Sequence, residues 1–224
     1  MNFLSHYYFD RHTDNPYEVF GAILPDLMKN ANKGWNLHPE KARNLDLNFS
    51  GEHILKGWKR HLQVDRIFHN TAFFFFHQHE LKLKMLGALK DTPVKPFFLG
   101  HIGTELILDH LLLKYQKIDV SIFYGQLSAI TDEDIRSFLQ ANGLNDSQRF
   151  FEYFNNFRAE KYLSNYIQPE RISYALRRIC ARIWPDPFGQ KKEDELTEVI
   201  EDYIKFLETD FMLIFEEIEA ALSS

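Results

Sequence analysis

Apolar residues along this chain recur every three or four positions, and no alternating run is bounded by an Asn-Gly or Asp-Gly turn, so the pattern predicts helices and no strands. The clearest segment runs from Pro96 to Leu113. Pro96 suits a first helical turn, where its missing N–H would be unpaired anyway. Phe98, Ile102, Leu106, Leu108, Leu112 and Leu113 cover most of the circumference, while His101, Glu105 and Asp109 recur every four residues as one slanted polar stripe. A helix apolar nearly all round is buried, and buried carboxylates and imidazoles are costly unless paired or bound to a metal. Another helix is predicted over roughly 51–89 with breaks, its apolar side formed by Ile54, Leu55, Trp58, Leu62, Ile67, Phe68 and Phe73 to Phe76. It carries a second stripe, His61, Asp65 and His69. Gly57 lies one turn before His61, and a glycine inside a helix points to a close approach of another backbone. His77 and His79, near Glu80, Lys82 and Lys84, are expected to be exposed.

The remaining segments follow the same period. Met1 to Phe9 is apolar and predicted to be tucked into the fold, with His6 read locally as a hydrogen-bonded core histidine. Asp14-Asn15-Pro16 is a turn, Tyr17 to Leu24 a short helix, and Pro25 is expected to break or kink it. Asp26, just past that break, either caps the next turn or points into a site. Residues 29–50 are polar and Asn-rich, a surface loop with irregular turns. Val120 to Ile130 is a helix with Ile122, Phe123, Leu127 and Ile130 on one face. Thr131 caps the next helix, Asn142-Gly143 closes it, and Asp146 or Ser147 starts an aromatic-rich one with Phe150, Phe151, Tyr153, Phe154 and Phe157. Pro169 opens a helix to about Trp184 bearing Arg177, Arg178 and Arg182, and the last helix spans about Lys191 to Leu222. With no repeat or clear linker, one all-α domain over residues 1–224 is the economical reading.

Composition narrows the classes. At 45% hydrophobic and 26% charged, the chain reads as an ordinary globular protein, and its 21 Phe predict an aromatic core. A net charge of −6 offers no footprint for nucleic acid. No apolar run is long enough for a bilayer, and the start lacks the features of a signal peptide. The single Cys180 excludes an internal disulfide, reads as an inert core thiol and suits a reducing cytosol, so a cytoplasmic location is expected.

Brought face to face, the two stripes would offer His61 and Asp65 from one helix and Asp109, with His110 or Glu105, from the other. Mixed imidazole and carboxylate ligands suit Mn²⁺, Mg²⁺, Fe²⁺ or Zn²⁺, and helix bundles build metal sites from such inward-facing residues. An ion of this kind polarises a phosphoryl oxygen and acidifies a bound water. His110 lies roughly 100° round the helix from Asp109, so it can orient the site from outside without sharing the ion. The same spacing also accommodates a mutually paired polar network with no metal.

Four motifs, in order, carry a resemblance: Met-Asn-Phe-Leu-x-His at the start, Gly21-x-x-Leu24-x-Asp26, Gly57-x-x-x-His61-x-x-x-Asp65, and an acid four residues before Asp109-His110-Leu-Leu. Together with Ala175-Leu176-Arg177-Arg178 and Arg182, they resemble the acyl carrier protein phosphodiesterase family over the whole length. The resemblance implies an all-α fold related to the HD-domain metal phosphohydrolases. It implies removal of 4′-phosphopantetheine from holo acyl carrier protein with a divalent ion, typically Mn²⁺. By position, Asp26, His61, Asp65 and Asp109 would hold the metal, with His6 and His110 lining the site. His69, His110, His6 and Glu105 are the candidates for proton handling. Arg178 and Arg182 are candidates for meeting phosphate or an acidic partner. Where the family has Asp-x-His after its His-x-x-x-Asp, this chain has His69-Asn70-Thr71, and Glu105 stands for the usual Asp. Those departures leave room for another phosphodiester or phosphomonoester substrate, or for a non-catalytic helical binding protein that keeps the scaffold.

Overall fold

The computed structural model describes residues 1–42 and 45–223, and every regular element among them is helical. The helices are α1 (Phe3–Asp10), α2 (Pro16–Ala31), α3 (Phe49–Phe68), α4 (Ala72–Met85), α5 (Pro96–Lys114), α6 (Val120–Ala129), α7 (Asp132–Ala141), α8 (Gln148–Glu160), α9 (Pro169–Cys180), α10 (Gln190–Leu207) and α11 (Met212–Ser223). Short 3-10 turns occupy Pro39–Lys41 and Tyr162–Ile167. Of the polar stretch 29–50, positions 43 and 44 lie outside the described residues. No described helix is long and apolar enough to cross a membrane.

The chain divides into two compact units, each assembled from separated segments. One comprises Phe3–Asp65 and Ile118–Leu163; the other comprises Met1–Asn2, Arg66–Lys117 and Ser164–Ser224. In the first unit α2 packs against α1, α6 and α8. Its start is set by Asn15, whose side chain accepts from Tyr17 N at 3.0 Å, with Pro16 in the first turn. Aromatic pairs fill this core: Tyr7 with Phe123 at 4.9 Å, Phe3 with Phe157 at 5.1 Å and Phe20 with Phe154 at 5.3 Å between ring centroids. The expected helix break at Pro25 is corrected: α2 runs through it to Ala31, and Asp26 is an interior residue, not a cap. Packing of the buried run Val19 to Leu24, with Leu27 and Met28, outweighs the one hydrogen bond that Pro25 forfeits.

α2 and α3 meet backbone to backbone. A Cβ on Gly21 would lie 2.2 Å from Ile54 O, and one on Gly57 would lie 2.1 Å from Glu18 O, so only glycine fits at either position. The crossing is tied by Glu18, which accepts from Lys56 Nζ at 2.8 Å and from His53 Nδ1 at 2.7 Å. Burial alone would raise the Glu18 carboxyl, but these two donors outweigh it and hold it below its ordinary value.

In the second unit α5 packs against α4 and α9, and α10 packs against α9, α4 and α5. Gly100 brings α5 close to α4, since a Cβ there would meet Gln78 O at 2.5 Å. α5 is buried all round only from Gly103 to Leu112, Glu105 excepted; Phe97 is exposed and His101 and Ile102 are half-buried. α9 stops at Cys180, short of Trp184, and Arg177 on it pairs with buried Glu193 of α10. The expected single last helix is two, separated by a turn at 208–211. Lys114 and Tyr115 both donate to Glu208 there, and Tyr115 stacks on Phe211 at 5.5 Å, which anchors the turn that spacing alone could not reveal. His77 is also corrected: it is buried, with its Nδ1 2.9 Å from the Tyr203 hydroxyl. Leu62, Phe75, Phe76 and Ile122, expected on apolar faces, are exposed. Cys180 is fully buried, and burial pushes its thiol up to about 12.

Candidate functional site

The α2–α3 crossing sets the first cluster. Asp26 follows Gly21 on α2 and His61 follows Gly57 on α3, each a little over one turn beyond the contact. α1 supplies His6, whose ring stacks on that of His61 at 3.9 Å between centroids and 20° between planes. His6, Asp26 and His61 each offer one ligand atom, and these atoms lie within 4.8 Å of one another. Both histidines are buried and Asp26 is half-buried. His61 Nδ1 is 2.8 Å from Ala22 O. A carbonyl can only accept, so Nδ1 carries the proton and Nε2 presents a lone pair. Metal-binding histidines are held in this way, by a backbone acceptor on the other nitrogen. Asp65, one turn further along α3, is half-buried, with Oδ1 3.8 Å from His6 Nε2.

The second unit holds another cluster, on α5 and the turn after α3. His101 and Glu105 sit at i and i+4 on α5, with His101 Nε2 3.2 Å from Glu105 Oε1. His69 is not on a helix; it lies in the turn fixed by Asn70 N to Ile67 O at 2.9 Å and Thr71 N to Phe68 O at 3.1 Å. Its Nε2 is 3.7 Å from the same Glu105 oxygen. Burial would raise the Glu105 carboxyl, but the Met1 ammonium at 3.4 Å, the His101 hydrogen bond and the His69 charge hold it below its ordinary value.

Asp109 and His110 follow on α5. Asp109 is fully buried and accepts from Asn2 Nδ2 at 2.8 Å. His110 is buried, with Nδ1 2.8 Å from Tyr166 O, so Nδ1 donates there too; burial holds this imidazole below its ordinary value. Of the expected metal residues, then, Asp26 and His61 come together with His6 in one unit, with Asp65 beside them, while Asp109 belongs to the other unit. Of the expected proton-handling residues, His69 and Glu105 join one cluster, which His101 completes. His101 stood out in the sequence on the α5 stripe, one turn before Glu105; its partner His69 is brought to it by the turn. Arg178 is exposed on α9, and Arg182 is exposed beyond its end.

Compared with protein-family models, curated proteins and solved structures, the chain matches none.

Proposed function

We propose that this protein is a metal-dependent phosphodiester hydrolase whose ion is held by His6, Asp26 and His61. The observation that carries this reading is the convergence of two buried imidazoles and one carboxylate from three helices, with His61 held in the tautomer a ligand needs. Two nitrogens and one carboxylate oxygen match the donor preferences of Mn²⁺, Fe²⁺ or Zn²⁺. A bound ion would supply charge to polarise a phosphoryl oxygen and to acidify water. The chain's own residues do the rest. Ala22 O and the stacked His6 ring fix the orientation of His61. Asp65 adds negative charge 3.8 Å from His6, which favours a cation at the cluster. Asp65 is also only half-buried, unlike His6 and His61, which places a carboxylate where an incoming water can give up a proton. The similarity to acyl carrier protein phosphodiesterases makes the 4′-phosphopantetheine diester of holo acyl carrier protein the first natural substrate to try.

The test is hydrolysis of bis-p-nitrophenyl phosphate by protein stripped with a chelator and reloaded with Mn²⁺. Turnover should require the ion, and Asp26→Asn or His61→Gln should lower kcat/KM by about 100-fold or more. Mass spectrometry of holo acyl carrier protein after incubation reads the narrower substrate. Metal-independent turnover, or wild-type rates in both variants, would refute the hydrolase reading. An unchanged carrier mass with diester turnover would remove only the carrier substrate.

A further inference from the structure

We propose that His69, His101 and Glu105 form a second divalent-metal site, of the zinc type, in the other unit of the chain. It shares no residue with the His6–Asp26–His61 cluster and does not rest on the hydrolase reading. Four observations converge on it. The three ligand atoms lie within 4.8 Å of one another. Ligand atoms about 2.1 Å from one ion stand about 3.0 Å apart at a right angle and about 3.4 Å apart at the tetrahedral angle. The separations from Glu105 Oε1 are 3.2 Å to His101 Nε2 and 3.7 Å to His69 Nε2, close to those values, and no pair of ligand atoms exceeds 4.8 Å, so the side chains need only close in around the ion.

The rings are also oriented in advance. His69 and His101 stack at 4.9 Å with 25° between planes. Buried Phe74 meets both edge-on, at 4.8 Å and 78° to His69 and at 4.9 Å and 87° to His101. Phe74 is itself fixed, because Thr71 caps α4 by accepting from Phe74 N at 3.1 Å. One apolar ring therefore backs both imidazoles, and such a shell limits their freedom around an ion.

Access is adequate. The His69 and His101 side chains are 29% and 36% exposed and Glu105 13%, so an ion can enter from solvent and keep a water on its open side. Two His and one Glu with an open position is the donor set of catalytic zinc sites and suits Zn²⁺ or Co²⁺ better than Mg²⁺.

The experiment is Zn²⁺ binding by chelator-stripped full-length protein, read as bound equivalents by elemental analysis, with Co²⁺ as a spectroscopic probe through its visible d–d bands. His101→Ala and His69→Ala are each made in the wild type and in His61→Ala. Each should remove one equivalent of Zn²⁺ relative to its parent and abolish the same set of Co²⁺ bands. His61→Ala alone should leave those bands in place. His69 lies in a turn and His101 near the exposed start of α5, so if one variant misfolds by circular dichroism, the other decides. Unchanged stoichiometry and Co²⁺ bands in the folded variants would overturn the proposal, whatever the outcome at the first cluster.

Discussion

Asp10, the last residue of α1, is buried, and its Oδ2 has no hydrogen-bond partner among the described residues. Burial pushes its carboxyl up to about 6; Arg60 and Lys56 pull it down, and Glu18 adds to the rise. Its position at a helix C-terminus is unfavourable for a negative charge as well. A carboxyl whose pKa is higher folded than unfolded stabilises the fold in acid, fully below the unfolded value, and loses that contribution as pH rises through about 6. His77 has the opposite sign. Burial first, against the charges of Asp210 and Glu80, lowers it to about 4, so its neutral form favours the fold above the unfolded value of 6.5, and that stability is lost as pH falls toward 4. Between these limits the two residues offset each other. Asp10→Asn should therefore raise stability at pH 7 by about 1–3 kcal/mol, give no gain near pH 4, and steepen the loss on acidification. Urea unfolding at both pH values measures this; an equal effect at the two would show that Asp10 is not held protonated.

At the scale of elements, the α2–α3 crossing governs the first cluster. Gly57→Ala would put a methyl 2.1 Å from Glu18 O, a backbone atom that cannot rotate away, so the helices must separate. The expected cost is about 3 kcal/mol or more, since overpacking a rigid contact sits at the upper end of such changes. Mn²⁺ affinity at His6, Asp26 and His61 should fall with it, because α2 carries Asp26 and α3 carries His61. Thermal unfolding and metal titration of Gly57→Ala check both; a variant as stable as wild type would show that the contact can relax. Gly57 was legible in the sequence because it stands in a helical run one turn before His61, where the cost of a glycine points to a close approach. α5 was legible because Pro96 and its apolar circumference agree, and Thr131 and Asn142-Gly143 because caps are local chemistry: Thr131 accepts from Asp134 N, and Gly143 has φ +86°. The continuation of α2 through Pro25 was not legible, since the opposing term is packing by distant residues. The division between α10 and α11 was hidden because apolar spacing persists through the turn, where Leu207 and Phe211 are both buried. His77 was misread because its neighbours in sequence are charged while its neighbour in space is Tyr203.

For the whole molecule, the all-helical class was written in the period of the apolar residues, while the division into two units was not, because one boundary falls within α3 itself and another within the 3-10 turn Tyr162–Ile167, where no linker marks it. The clusters show the same limit. His101 and Glu105 are paired by helical spacing, which a sequence displays directly; His69, and likewise His6 with Asp26 and His61, meet only through the fold. Of the four residues expected from the sequence to hold a metal, Asp26, His61, Asp65 and Asp109, the first two meet with His6, and spacing alone could not have chosen between a metal and a paired network there.

The lone thiol offers a use of its own. Because Cys180 is sealed and its proton is held to about pH 12, a disulfide reagent can modify it only in molecules whose α9 has come loose. Its rate of derivatisation in native buffer should be orders of magnitude below that in denaturant, and should reach the denatured rate as urea is added. The chain thus carries a built-in clock for breathing of the Ser164–Ser224 segment, one that needs no label, no second cysteine to be removed and no knowledge of the substrate.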